Sequence, residues 1–120
     1  MHHVNLSVPE DGAPAEAEWL VGVLGYRWAD PGVDAGKLGA RWWFDGDDGA
    51  QIHLSPNPDH APSARAHTAI RLDDALDEVV GRIEAQGQQC RSMTFDGDRH
   101  VFAVDPAGNL WELVGPPEPA

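Results

Sequence analysis

Two runs of this chain open on a histidine and then alternate: HVNLSV at 3–8 and HTAIRL at 67–72. Alternation with a period of two marks a strand that buries one face. Val4, Leu6 and Val8 fall on one side of the first run, and His3, Asn5 and Ser7 on the other. In the second run Thr68, Ile70 and Leu72 oppose His67, Ala69 and Arg71. The order of elements downstream of each run is repeated too, and this repeat constrains the fold more than any other feature.

After the first run, PEDGAP breaks the strand and residues 14–25 read as a helix. Pro14 suits a first turn. Trp19, Leu20, Val23 and Leu24 form its apolar stripe, and Gly25 is a natural stop. A short strand is expected at 26–29, then a turn-rich loop, DPGVDAGKLG. ARWWF at 40–44 and AQIHL at 50–54 read as a hairpin around DGDDG. SPNPDHAPSA at 55–64 reads as a linker.

The pattern then restarts at 66–72. DDALDEVVGRIEAQG is a helix with Leu76, Val79, Val80 and Ile83 on its apolar side. Asp73 or Asp74 can cap its start and Gly87 its end. Strands are expected at 89–94, 99–104 and 109–114, with DGD and DPAGN as the turns. The order is β-α-β-β-β twice, an α+β chain. It reads as a single domain with module one at 1–55, a linker at 56–64 and module two at 65–115.

The repeat aligns chemistry as well as structure. QIHL closes the first module and LWEL the second, so His53 and Glu112 each sit between two apolar neighbours. If those neighbours face the helices, His3, His53, His67 and Glu112 all face the opposite side of their strands. Three imidazoles and one carboxylate suit a borderline divalent metal. His3, His67 and Glu112 alone would make the two-histidine, one-carboxylate set of non-haem iron chemistry. His2 has the wrong parity. His60 and His100 are expected to face solvent.

In ARWWF, alternation sends Arg41 and Trp43 to one face and Trp42 and Phe44 to the other. One pair should line the site and suit a planar or aromatic small molecule, with core packing the alternative for the tryptophans. Arg41 and Arg71 are candidates to hold a substrate carboxylate, Arg71 sharing the parity of His67. Either can instead pair with a local acid.

Charge narrows the partners. Twenty acidic residues against eight basic ones give a net charge of −12, which repels phosphate backbones and anionic membranes. Nucleic acid and membrane are therefore not expected partners. Cys90 is the single cysteine, which precludes an internal disulfide and suits a reducing compartment. No run approaches the roughly 20 apolar residues of a membrane span. The start carries no signal-peptide pattern, so the expected location is cytoplasmic.

Across HHVNLSVP, VGVLGYR, GAQIHL, AHTAIRLDD and FAVDPAGNLWELV, the chain resembles the vicinal oxygen chelate superfamily. That group holds glyoxalase I, fosfomycin-resistance proteins, methylmalonyl-CoA epimerase, extradiol dioxygenases and bleomycin-resistance proteins. The DPxGNxxEL pattern is the most specific of these stretches. The resemblance implies two βαβββ modules forming a curved mixed-sheet cup around a divalent metal (Zn, Ni, Mn, Co or Fe), and often a homodimer. It places metal ligands at His3, His53, His67 and Glu112, with His53 or Glu112 moving a proton. His53 stands where glyoxalase I carries a glutamate, which weakens the case for that enzyme's own reaction. The implied function is a metal-dependent lyase or isomerase acting through a metal-stabilised enolate or oxyanion. The alternatives are an Fe-dependent dioxygenase and a non-catalytic small-molecule binding or antibiotic-resistance protein.

Overall fold

The computed structural model describes residues 1–30 and 42–118. The loop expected at DPGVDAGKLG, the start of the strand expected at 40–44, and Arg41 lie outside the described residues, apart from Asp30. The chain divides into two compact units, Met1–Ala61 and Pro62–Ala120.

The first unit runs β1 (His3–Pro9), α1 (Ala13–Gly22), β2 (Arg27–Trp28), β3 (Trp43–Asp45) and β4 (Gln51–Asn57). Its sheet has the order β1-β4-β3-β2. The second unit runs β5 (His67–Arg71), a 3-10 turn (Asp73–Ala75), α2 (Leu76–Ala85), β6 (Arg91–Phe95), β7 (Asp98–Val104) and β8 (Leu110–Gly115), with the order β5-β8-β7-β6. In both units the first and last strands pair in parallel and the other pairs are antiparallel. Among the described residues no helix is long and apolar enough to cross a membrane.

The alternation in the sequence becomes a division between two sheet faces. In the first unit Leu6, Val8, Phe44, Ile52 and Leu54 are buried, as are Trp19 and Leu20 of α1. In the second, Val101, Ala103, Trp111 and Leu113 are buried together with Leu76, Val79 and Ile83 of α2. Burying one large aliphatic or aromatic side chain contributes about 1.5–3 kcal/mol, so these stripes fix which face each strand turns to its helix.

The ends of the elements differ in detail from the pattern reading. Helix α1 stops at Gly22, and Val23 and Leu24 continue its buried stripe through a closing turn. The N–H of Tyr26 bonds the Leu20 carbonyl at 3.0 Å, and Gly25 takes φ +85°. This bond reaches back six residues, a chain reversal that the left-handed residue permits. Strand β4 runs on to Asn57, three residues past the strand expected there. Pro56 pairs with Val8 of β1, while β3 pairs only as far as His53. The N–H of Leu54 still bonds the Trp42 carbonyl at 2.9 Å, and among the described residues no strand pairs with β4 on that side at Pro56, where a residue without an N–H does no harm. Neither Asp73 nor Asp74 caps α2. Asp73 has φ +49°, and its carboxylate accepts from Arg71 instead. Its backbone is also crowded: a Cβ on Gly115 would lie 2.8 Å from the Asp73 carbonyl oxygen and 2.7 Å from Leu76 Cδ2.

The DPAGN turn is held by one buried carboxylate. Asp105, 5% exposed, accepts the N–H groups of Ala107 (3.0 Å) and Asn109 (2.9 Å) at Oδ1. At Oδ2 it accepts the indole N–H of Trp111 at 2.9 Å. The turn that leads into β8 is thereby tied to the largest core side chain of its unit. Hydrogen bonds to a charged group contribute about 1.5–3 kcal/mol, and removing the acceptor strands a buried indole N–H. Asp105→Ala is expected to lower unfolding stability by about 2–4 kcal/mol in urea denaturation, with Asp105→Asn losing less.

Tyr26, the single tyrosine, packs over Gly46, where an added Cβ would meet its ring at 2.8 Å. Burial, and then the charge of Asp48, push its phenol up to about 12. Between the ordinary value near 10 and this raised one, the unfolded chain loses the proton and the folded chain keeps it. Stability therefore falls as pH rises through that window. Ultraviolet difference titration should show one phenolate transition near 12 in the native protein, returning to about 10 in denaturant.

Candidate metal centre

Identical registers place the two sequence-matched pairs. In the first unit β1 sets His3 opposite Gln51, two residues before His53. In the second, β5 sets His67 opposite Leu110, two residues before Glu112. Side chains two apart on a strand share a face, so each first-strand histidine lies diagonally beside its last-strand partner.

In the second unit the pair is in contact. His67 Nε2 lies 3.1 Å from Glu112 Oε1. His67 Nδ1 lies 2.8 Å from the carbonyl of Arg65. A carbonyl only accepts, so Nδ1 carries a proton. In the neutral ring the Nε2 lone pair then faces the carboxylate. Two acceptors at this separation call for a proton or a cation between them. Glu112 is held from the other side by His100, whose Nδ1 donates to Oε2 at 2.7 Å. His100 therefore does not face solvent, contrary to the expectation from sequence. Its side chain is 16% exposed, against 18% for Glu112. Its place on β7 explains this: Phe102 is opposite Glu112, and His100 is the diagonal neighbour on the same face. That register was the missing information. His60, also expected to face solvent, is half-buried and shares a 2.8 Å hydrogen bond with Ser7.

In the first unit aromatic stacking organises the pair. Trp43 stacks on His53 with ring centroids 4.1 Å apart and planes 6° from parallel. His53 stacks in turn on His3 at 4.2 Å and 17°. Gln51 donates its amide N–H to Asp45 at 2.9 Å, which leaves its carbonyl oxygen to accept from His53 Nε2 at 3.1 Å. Burial, followed by the neighbouring His3 and His2, lowers the His53 pKa. A lowered pKa favours the neutral His53 ring, the form that ligates metal. Of the pairs in ARWWF, Trp43 is therefore the one on the histidine face. Phe44 is fully buried, and Trp42 packs with Trp28 beside α1.

Arg71 lies on the histidine face of β5 and donates to Asp73 (3.3 Å) and Asp98 (3.1 Å), the acidic pairing weighed as its alternative. Arg41 lies outside the described residues. A cavity of about 520 Å³ adjoins His67 and is lined by Arg65, Arg91, Phe102, Val104 and Leu110, among others.

The donor chemistry suits a divalent cation, and the two units differ in how ready they are for one. Donors bound cis to one ion at roughly 2.1 Å stand about 3 Å apart, the separation of His67 Nε2 and Glu112 Oε1. The carbonyl on His67 Nδ1 and the imidazole on Glu112 are the outer partners that metal ligands ordinarily have. His3 and His53 lie in near-parallel planes, and one ion cannot occupy both planes. At least one of these rings must turn for both to bind. Among the described residues no group of three or more His, Cys, Asp or Glu side chains is gathered for a metal ion.

Comparison with known proteins agrees with this architecture. The most similar solved structures include a glyoxalase family protein from Bacillus anthracis, 24% identical with a TM-score of 0.78, covering 98% of this chain and 94% of its own. The fosfomycin resistance protein FosX from Listeria monocytogenes is 17% identical with a TM-score of 0.74, covering 98% and 93%. Lactoylglutathione lyase from Agrobacterium tumefaciens is 21% identical with a TM-score of 0.68, covering 96% and 92%. No curated protein matches the sequence. A family model matches residues 1–113, and by that match the chain belongs to the Glyoxalase/Bleomycin resistance protein/Dioxygenase superfamily.

Proposed function

We propose that this protein is a metal-dependent enzyme acting on a small molecule, with lyase or isomerase chemistry that moves a proton next to a polarised substrate oxygen. The observation that carries the reading is the facing of His67 Nε2 and Glu112 Oε1 at 3.1 Å while His67 Nδ1 is committed to a backbone carbonyl. A divalent cation satisfies both acceptors at once. His3 and His53 repeat that register in the first unit and are the corresponding candidate donors there. Similarity to a protein named lactoylglutathione lyase supports the choice of reaction class. A bound Zn, Ni, Mn, Co or Fe ion supplies Lewis-acid polarisation of adjacent substrate oxygens.

The chain's own groups divide the remaining work. His100 orients Glu112 through Oε2 and so fixes which carboxylate oxygen is turned toward His67. Glu112 is the first candidate to move the substrate proton. His53 has one free nitrogen, because its Nε2 donates to Gln51, and Nδ1 acts as the second base only where it does not hold the cation. Its lowered pKa keeps that nitrogen unprotonated at neutral pH. Trp43 locks the His53 ring in place and offers a flat wall to a planar substrate.

Exchange of the substrate α-proton into deuterated water tests the reading, with small α-hydroxyketones as probes and NMR as the readout. Chelator-stripped protein should be inactive, and one of the five ions should restore exchange. Glu112→Gln and His67→Ala should each lose about 100-fold or more. Undiminished exchange in stripped protein overturns the proposal. Restoration by iron alone, with oxygen uptake on catechols, selects the dioxygenase alternative.

A further inference from the structure

The cavity beside His67 holds two arginines that no acid neutralises among the described residues. Arg27, Arg71, Arg82 and Arg99 each hold a carboxylate. Among the described residues, Arg65 and Arg91 hold none, and both line the same cavity of about 520 Å³. In a chain with a net charge of −12, acids are plentiful enough to pair with every cation. Two guanidiniums at one cavity with no acid partner among the described residues are therefore a local reversal of the charge balance.

The remaining walls define the rest of the ligand. Phe102, Val104 and Leu110 give the cavity an apolar side. Gln88 is spent on the backbone of Val104, donating to its carbonyl and accepting its N–H. Gln89 adds one polar group. His67 stands at the border with the candidate metal centre, its ring 6.0 Å from that of Phe102. The arginines reach the cavity from the segment before β5 and from the start of β6, so they approach it from different elements.

We propose that this cavity binds a small organic acid, its carboxylate on Arg65 and Arg91 and its apolar or aromatic body against Phe102, Val104 and Leu110. The assignment deepens the enzymatic reading, on which it rests only for where the reacting end lies; the anion site itself stands on the two arginines. Guanidinium pairs match carboxylate oxygens in fork geometry, and an apolar wall adds area without charge. Both arginines are exposed, so the attraction is screened and should weaken with salt.

The test is calorimetric titration of chelator-treated full-length protein with 2-naphthoate and with its neutral counterpart 2-naphthamide. Wild type should bind the acid about tenfold or more tightly than the amide at low salt. The Arg65→Gln/Arg91→Gln double variant should lose that preference and still bind the amide, which shows that the cavity persists. Arg82→Gln, whose arginine pairs with Glu78 on α2, should behave as wild type. Equal affinity for acid and amide in wild type overturns the proposal. So does failure of the acid to bind, or a preference that survives in the double variant. No metal is present in the titration, so a failure here leaves the metal-dependent reading to its own assay.

Discussion

The parallel pairing of first and last strands in each unit is the constraint on which the rest depends. A parallel pair cannot be closed by a tight turn, so the chain must cross over through a helix and return through two further strands. That requirement gives each unit its helix on one face and leaves the other face free for polar side chains. It also brings residues far apart in sequence side by side. His3 and His53 become stacked neighbours, and His67 reaches Glu112 within 3.1 Å. The same two-residue diagonal offset recurs in both units, so one pairing rule sets each candidate pair side by side.

Outer contacts turn these neighbours into chemistry. The Arg65 carbonyl fixes the proton of His67 on Nδ1, and His100 fixes Glu112. Gln51, itself anchored by Asp45, fixes His53. Each of these three donors is thus oriented by a group on the same or a neighbouring stretch of strand. Orientation by short-range partners matters in a sheet, where exposed side chains otherwise sample several rotamers at little cost. Charge is arranged with similar economy. Arg71 and Arg99 are consumed by acids, and Arg65 and Arg91, left unpaired among the described residues, lie beside His67.

Most of the fold and the pairing of the candidate site residues were legible in the sequence. Period-two alternation identified the helix-facing side of β1 and β5, and the repeat matched His53 with Glu112 before any register was known. The DPAGN turn was legible as well, because Asp and Gly at those positions each have a local conformational reason to be there. What escaped depends on pairings between distant strands. His100 reads as an isolated polar residue until β7 is laid against β8. Arg71 reads as either a substrate ligand or the partner of a local acid until β7 brings Asp98 to it. Pro56 reads as part of a linker until β1 pairs with β4 as far as Asn57. Asp73 reads as a cap until the close approach of Gly115 shows how crowded its backbone is.

The central claim is that the matched pairs of the two units are metal donors. Metal content by mass spectrometry on untagged protein, prepared without chelator, tests it most directly when His67→Ala is measured alongside. The predicted result is about one divalent ion per chain in the wild type and its loss in the variant. A wild-type protein that takes up none of the five candidate ions, or a variant that keeps the ion, would contradict it.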